Sequence, residues 1–222
     1  VIVAVAGGKG GVGKTTLAYN LGAALGAVVV DADLGMADLP HGRGPDLHDV
    51  LSGRADVPET IRDGPVPLLP CGRSLAGARA ADVRELAGTL RRVETEGGDV
   101  VVDCPAGLRA DVGVPLAVAD ACVLVASPRR FALADAVRTR ELARELDAGV
   151  TGVAINRITD ADDPPVDVFR RVLGAPVSAV PADPRVGRSV EAERPVATAA
   201  PESAAADAIR SLASAVQSCR SR

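Results

Sequence analysis

Two kinds of stretch alternate along the chain. Short, mostly apolar runs at 1–6, 28–30, 66–69, 100–102, 121–126, 150–155 and 177–180 have the length and composition of strands buried in a parallel sheet. Between them, apolar residues recur at helical spacing. Leu17, Leu21, Ala24 and Leu25 predict a helix stopped at Gly26, and Val83, Leu86, Leu90 and Val93 predict one over 80–96 closed by Gly97 and Gly98. Further helices are predicted over 132–146, 166–173 and 202–217, with a short one over 185–193. The helix over 202–217 carries Ala205, Ile209, Leu212 and Val216 on one face. Residues 34–65, rich in Gly, Pro, Asp and Arg, predict irregular structure with one brief helix at Leu47, Val50 and Leu51. Strands alternating with helices at this spacing predict an α/β fold: one domain over 1–222 with a mostly parallel sheet, helices on both faces and right-handed crossovers.

Composition narrows the function classes. The chain has 222 residues, enough for one large core, and 47% of them are hydrophobic. Its aromatic residues are Tyr19, Phe131 and Phe169, so recognition of nucleic acid bases by stacking is not expected. A net charge of −4 gives no overall attraction to nucleic acid or anionic lipid. DNA binding would need a local patch. Arg129, Arg130, Arg138, Arg140 and Arg144 supply one, but Asp135, Glu141 and Glu145 interleave with them, as on a solvated helix face. Cys71, Cys104, Cys122 and Cys219 lack metal-ligand spacing and read as reduced thiols, three of them buried, in a cytoplasmic protein. His41 and His48 read as solvent-facing and too isolated to hold a metal. No apolar run approaches the roughly 20 residues of a membrane span. The final helix, followed by Arg220 and Arg222, offers too little apolar area and charge to bind a bilayer by itself.

Candidate chemistry is concentrated where the first apolar run ends. Residues 7–16 read Gly-Gly-Lys-Gly-Gly-Val-Gly-Lys-Thr-Thr, and Gly8, Gly13, Lys14 and Thr15 fit G-x-x-x-x-G-K-[ST]. Glycines let successive backbone N–H groups turn around a polyphosphate, the lysine reaches the β and γ phosphates, and the hydroxyl ligates Mg²⁺. A glycine-rich turn matching by chance is the alternative, and the strand before and helix after argue against it. Lys9 and Lys14 are the only lysines in the chain. Arginine supplies every other fixed positive charge, although its wide planar fork replaces a compact ammonium poorly inside a phosphate loop.

Two further strand ends carry carboxylates. The run at 28–30 leads into Asp31-Ala32-Asp33, where strand alternation would put both aspartates on one side at the ligand-binding edge of the sheet. The run at 100–102 ends in Asp103, followed by Cys104-Pro105-Ala106-Gly107, the arrangement of a Walker B strand feeding a switch loop. A helix cap or solvated turn is the simpler reading of each aspartate taken alone. The phosphate loop is what favours a Mg²⁺ and water-handling role.

Together these segments resemble the MinD/ParA family of deviant Walker P-loop NTPases, most closely its archaeal-like MinD branch. The resemblance lies in K-G-G-x-G-K-T with its extra Lys9, in Asp31-Ala32-Asp33-Leu34-Gly35-Met36-Ala37, in Leu47-His48-Asp49-Val50-Leu51 and in Asp103-Cys104-Pro105-Ala106-Gly107. Asn156-Arg157 and Pro181-Ala182-Asp183 resemble its adenine-side signature. Asp38 stands where MinD proteins commonly have Asn, and the stretch after Leu39 is shortened. The resemblance implies an ATPase in which Gly8, Gly10, Gly11, Val12, Gly13, Lys14, Thr15 and Thr16 hold the phosphates, and Thr15, Asp31 and Asp103 serve Mg²⁺. Asp33 would position the attacking water, and Asn156, Arg157, Pro181 and Asp183 would face the base. It further implies an ATP-dependent homodimer in which Lys9 reaches the partner's nucleotide, and a regulatory protein partner. ParA-like DNA partitioning is the competing role. An iron–sulfur carrier would need a closely spaced cysteine pair, and a metabolic P-loop enzyme an additional substrate pocket.

Overall fold

The computed structural model describes residues 1–219 except 36, 37, 41, 108, 109, 130 and 162, and the side chains of 110 and 111 are likewise left aside. Met36, Ala37, His41, Arg130, Arg220 and Arg222, each named above, therefore lie outside the described residues. The strands are β1 (Ile2–Ala6), β2 (Val28–Asp31), β3 (Leu68–Leu69), β4 (Val100–Asp103), β5 (Ala121–Ala126), β6 (Gly149–Ile158) and β7 (Val177–Pro181). They form one sheet in the order β3-β2-β4-β1-β5-β6-β7, every pairing parallel. The helices are α1 (Lys14–Leu25), α2 (Leu47–Leu51), α3 (Val57–Thr60), α4 (Leu75–Ala80), α5 (Leu86–Gly97), α6 (Ala110–Val118), α7 (Ala132–Glu145), α8 (Val166–Leu173), α9 (Pro184–Arg188), α10 (Val196–Ala199) and α11 (Ala204–Cys219).

Continuous apolar strands serve both faces because successive side chains point to opposite sides. Ile2, Ala4 and Ala6 join one buried cluster with Leu86, Leu90 and Val93 of α5, Leu116 of α6 and Phe169 of α8. Val3 and Val5 join the other, with Leu17 and Leu21 of α1 and Ile209, Leu212 and Val216 of α11. The stripe predicted on the last helix thus packs on the sheet. No described helix is long and apolar enough to cross a membrane.

Glycine sets how closely α1 approaches the sheet. A Cβ on Gly22 would lie 2.2 Å from Val29 Cγ2. Alanine gains about 1 kcal/mol of helix propensity over glycine, whereas overpacking costs about 1–3 kcal/mol. A clash this short puts the cost at the upper end, so Gly22→Ala should lower the thermal midpoint by several degrees, read by circular dichroism.

The structure corrects several expectations. The helix predicted over 80–96 is broken, because Asp82 accepts the backbone N–H of Arg84 and restarts the chain as a 3₁₀ turn ahead of α5. Val83 is consequently exposed, while Leu86, Leu90 and Val93 are buried. Residues 34–65 contain two short helices: α2 opens on a capping box between Asp46 and Asp49, and at the start of α3 the Asp56 N–H donates to Glu59 Oε2. The helix predicted over 185–193 ends at Arg188, and α4, α6 and α10 were not predicted. Pro115 and Gly113 within α6 mask its periodicity.

His48 is not solvent-facing. It is buried, with Nε2 3.2 Å from the Leu34 carbonyl and 3.3 Å from Cys71 Sγ. Cys71, Cys104 and Cys122 are buried free thiols and Cys219 is exposed, as the residue surroundings predict.

Candidate functional site

β1 lies in the middle of the sheet between β4 and β5, so everything that emerges from these three strands converges at one edge. The loop after β1 enters α1 through Gly13, whose φ of 92° is costly for any residue with a Cβ. No described side chain caps α1, which leaves its first N–H groups facing the loop.

The loop is held from outside by the end of β6. Asn156 Nδ2 donates to the Val12 carbonyl at 2.9 Å, and Arg157 Nη1 donates to the Gly11 carbonyl at 2.8 Å. Across a planar trans peptide, a carbonyl drawn one way turns the next N–H the other, so the N–H groups of Val12 and Gly13 point away from β6. Asn156 packs so close that a Cβ on Gly13 would lie 2.4 Å from its Nδ2. Arg157 itself has a positive φ of 62°, a strained conformation held by its hydrogen bonds.

A cavity of about 330 Å³ opens over this loop. Gly10, Gly11, Gly13, Lys14, Thr15 and Thr16 line it from below, and Asp33, Asp38, Cys104, Ala106 and Arg157 from the sides. Gly187, Val190 and Glu191 from the chain after β7 close it. Sequence reasoning missed these three, since no motif marks them. A neighbouring cavity of about 370 Å³ is lined by Thr16, Asn156, Arg157, Pro181 and Asp183, bringing together the residues assigned to the base. The carboxylate of Asp183 is already engaged by Arg185, whose guanidinium holds its pKa below the ordinary value. Gly8 lines neither cavity; it lies against α7, where a Cβ would come within 2.7 Å of Asp135 Cβ.

The aspartates behave differently from one another. Asp31 and Asp103 are register partners on β2 and β4, both buried at the strand ends. Burial pushes the Asp31 carboxyl up to about 7, against the N–H groups of Leu39, Asp33 and Asp38 that stabilise its charged form. Burial also raises Asp103 well above the ordinary carboxylate range, with the charge of Asp31 adding to it. The Thr15 hydroxyl and the Lys14 ammonium act in the opposite sense on Asp103. Among the described residues its buried Oδ1 has no hydrogen-bond partner. A hard oxygen without a partner, beside a threonine hydroxyl and a second carboxylate, fits a Mg²⁺ ion, which binds through one or two carboxylates plus waters and substrate phosphates. Among the described residues there is no closed cluster of three or more His, Cys, Asp or Glu that would hold a metal alone.

Asp33 departs from the expected geometry. β2 ends at Asp31, so the two aspartates do not share a strand face. A turn places Asp33 on the cavity wall, with its N–H donating to Asp31 Oδ1 at 3.1 Å.

Lys9 stands apart from the cavity that holds Lys14. Its Nζ lies 3.0 Å from Asp135 Oδ2, and the direction is off-line for a hydrogen bond. The same ammonium is 4.9 Å from the centre of the exposed Phe131 ring. Further along α7, Arg138 pairs with Asp135, and Arg140 and Arg144 pair with Glu141. That helix face is charge-balanced.

A model of the CobQ/CobB/MinD/ParA nucleotide-binding domain matches residues 3–196. An uncharacterised ATP-binding protein of Methanocaldococcus jannaschii is 32% identical over 227 residues, covering 96% of this chain and 86% of that protein. The cell division ATPase MinD of Pyrococcus furiosus superposes with a TM-score of 0.89 at 30% identity over 98% of both chains. The septum site-determining protein MinD of Pyrococcus horikoshii, solved with Mg-ADP, superposes with a TM-score of 0.88 at 29% identity over 97% of this chain and 95% of that one.

Proposed function

The chain belongs to the CobQ/CobB/MinD/ParA nucleotide-binding family, and from that premise we propose that it is a MinD-like, Mg²⁺-dependent ATPase whose nucleotide state switches it between monomer and homodimer. The observation that carries this reading is the meeting of Lys14, Thr15 and Asp33 around one cavity beside the unpartnered oxygen of Asp103. In this reading the N–H groups of residues 10–16 and the Lys14 ammonium hold the phosphates. Thr15 and Asp103 hold Mg²⁺, with Asp31 supporting its hydration shell. When bound, the ion would neutralise charge developing on the phosphoryl oxygens. Asp33 orients and polarises the attacking water, and Asn156, Arg157, Pro181 and Asp183 form the base side.

Lys9 is the residue that makes this a dimerisation switch. A second ammonium beside Lys14 would add repulsion with no anion to meet, whereas a facing nucleotide across a dimer seam supplies that anion. In the single chain the carboxylate of Asp135 occupies Lys9, so reaching across must break that ion pair. Light scattering should find a dimer with Mg-ATP in an Asp33→Ala background and a monomer with ADP. Adding Lys9→Ala should restore the monomer with ATP affinity mostly intact; a persisting dimer would rule out the cross-seam role.

The switch would act through a protein partner in cell division or in positioning another cellular component, in a cytoplasmic setting that the free thiols fit. ParA-like DNA partitioning has less support, because the arginines of α7 are paired with carboxylates. Salt-dependent, ATP-dependent binding of duplex DNA would favour that reading instead.

A further inference from the structure

We propose that Arg62 is a positioning residue that ties the return of the loop after β2 to the chain segment after β7, so that the two walls of the nucleotide cavity move together. The inference deepens the ATPase reading and rests on it for its consequence in turnover, but the contacts stand by themselves.

The return of the loop is fixed at its start and handed directly to Arg62. Asp31 Oδ2 accepts the N–H of Asp38 at 3.1 Å and of Leu39 at 3.3 Å, and the next residue, Pro40, gives its carbonyl to Arg62 Nη1 at 2.6 Å. On its other side the same guanidinium places Nη2 3.9 Å from Glu193 Oε1. The stem is anchored as well. Arg62 exchanges both backbone hydrogen bonds with Leu68, at 2.8 and 3.0 Å, which sets it against the edge strand β3. Gly42 leaves room for the head, since a Cβ there would lie 3.0 Å from Arg62 Cζ.

The segment that Glu193 belongs to is itself part of the phosphate-loop block. Asn20 of α1 donates Nδ2 to the Thr16 carbonyl at 2.8 Å and to Ser189 Oγ at 2.7 Å, and its Oδ1 accepts the Val196 N–H at 2.8 Å. Between those clamps the chain turns tightly, with Arg194 N–H donating to the Ser189 carbonyl at 2.9 Å and Glu193 at a φ of 46°. Val190 and Glu191 of this turn line the same cavity as Asp33 and Asp38. The contacts therefore run in a continuous chain from α1 through Asn20, Glu193, Arg62 and Pro40 to Asp31.

Arginine suits this place because its planar fork presents donors in different directions at once, which a lysine ammonium on a flexible stem does not. Both ends of the Arg62–Glu193 pair are partly exposed, at 28% and 44%, so its worth is in joining two segments more than in stability.

Amide hydrogen exchange on the nucleotide-free protein, read residue by residue by NMR, tests the tie. Glu193→Gln touches neither Pro40 nor Asp31, yet it should raise exchange of the Asp38 and Leu39 amides about 2–5-fold, together with those of Arg194 and Val196. Arg62→Ala should do at least as much, and the double variant should be no faster than Arg62→Ala alone. In turnover, Arg62→Ala should lower kcat about 10-fold while the calorimetric Kd for ATP stays within about 3-fold, and Arg62→Lys should rescue kcat only in part. Exchange changes confined to 189–196 in Glu193→Gln, or additive effects in the double variant, would overturn the proposal. An unsubstituted protein that does not hydrolyse ATP would instead overturn the ATPase reading and leave the exchange result to decide this one.

Discussion

Replacing Lys14 with alanine should abolish ATP binding at the concentrations used in calorimetry, while the protein remains folded by circular dichroism. Lys14 is 8% exposed, sits at the first position of α1, and lines the cavity above the loop. Truncating one side of a buried, hydrogen-bonded charge contact costs about 2–5 kcal/mol, which is roughly 30-fold to several thousand-fold in affinity. Lys14→Arg should fail almost as badly, because a wide planar guanidinium replaces a compact ammonium poorly inside a phosphate loop. Near-normal affinity in Lys14→Ala would remove the loop as the phosphate site.

Asp33→Ala should separate binding from turnover. Hydrolysis should fall by about 10²–10⁴-fold, the range that a positioned acid or base contributes, while the Kd for Mg-ATP changes only a few-fold. The geometry motivates the asymmetry. Asp31 is buried and spends its oxygens on three backbone N–H groups, so it shapes the loop, whereas Asp33 lines the cavity itself. Asp31→Ala should accordingly destabilise the loop and weaken metal and nucleotide together. A parental hydrolysis rate in Asp33→Ala would exclude it as the group that handles water.

The phosphate loop and the central strands were legible because each depends on local composition: an apolar run long enough to be buried on both faces, then a glycine or aspartate at its end. Asp33 shows where that reasoning stopped. Alternation assigned it to the face of Asp31, but the Asp31 carboxylate captures the Asp33 N–H and ends the strand, a competition that pattern alone does not reveal. Val83 went astray for a related reason, since Asp82 caps a new start where periodicity continues. His48 reads as polar in a polar stretch, and only the tertiary meeting with Leu34 and Cys71 buries it. The cavity wall formed by Gly187, Val190 and Glu191 was invisible because Asn20, 169 residues from Ser189, holds it in place.

The hydrogen bond from Asn156 to the Val12 carbonyl spans 144 positions of sequence. β1 likewise finds its neighbours only in β4 and β5. During synthesis the glycine-lysine signature leaves the ribosome well before β6, and its carbonyls are not drawn aside until β6 has emerged and joined the sheet. A nascent chain that has emerged only as far as residue 130 therefore carries the complete signature and lacks the contacts from Asn156 and Arg157 that shape its loop. Nucleotide capture is consequently a late event in the life of the polypeptide, and ATP is a reporter of finished molecules that partly made ones cannot compete for.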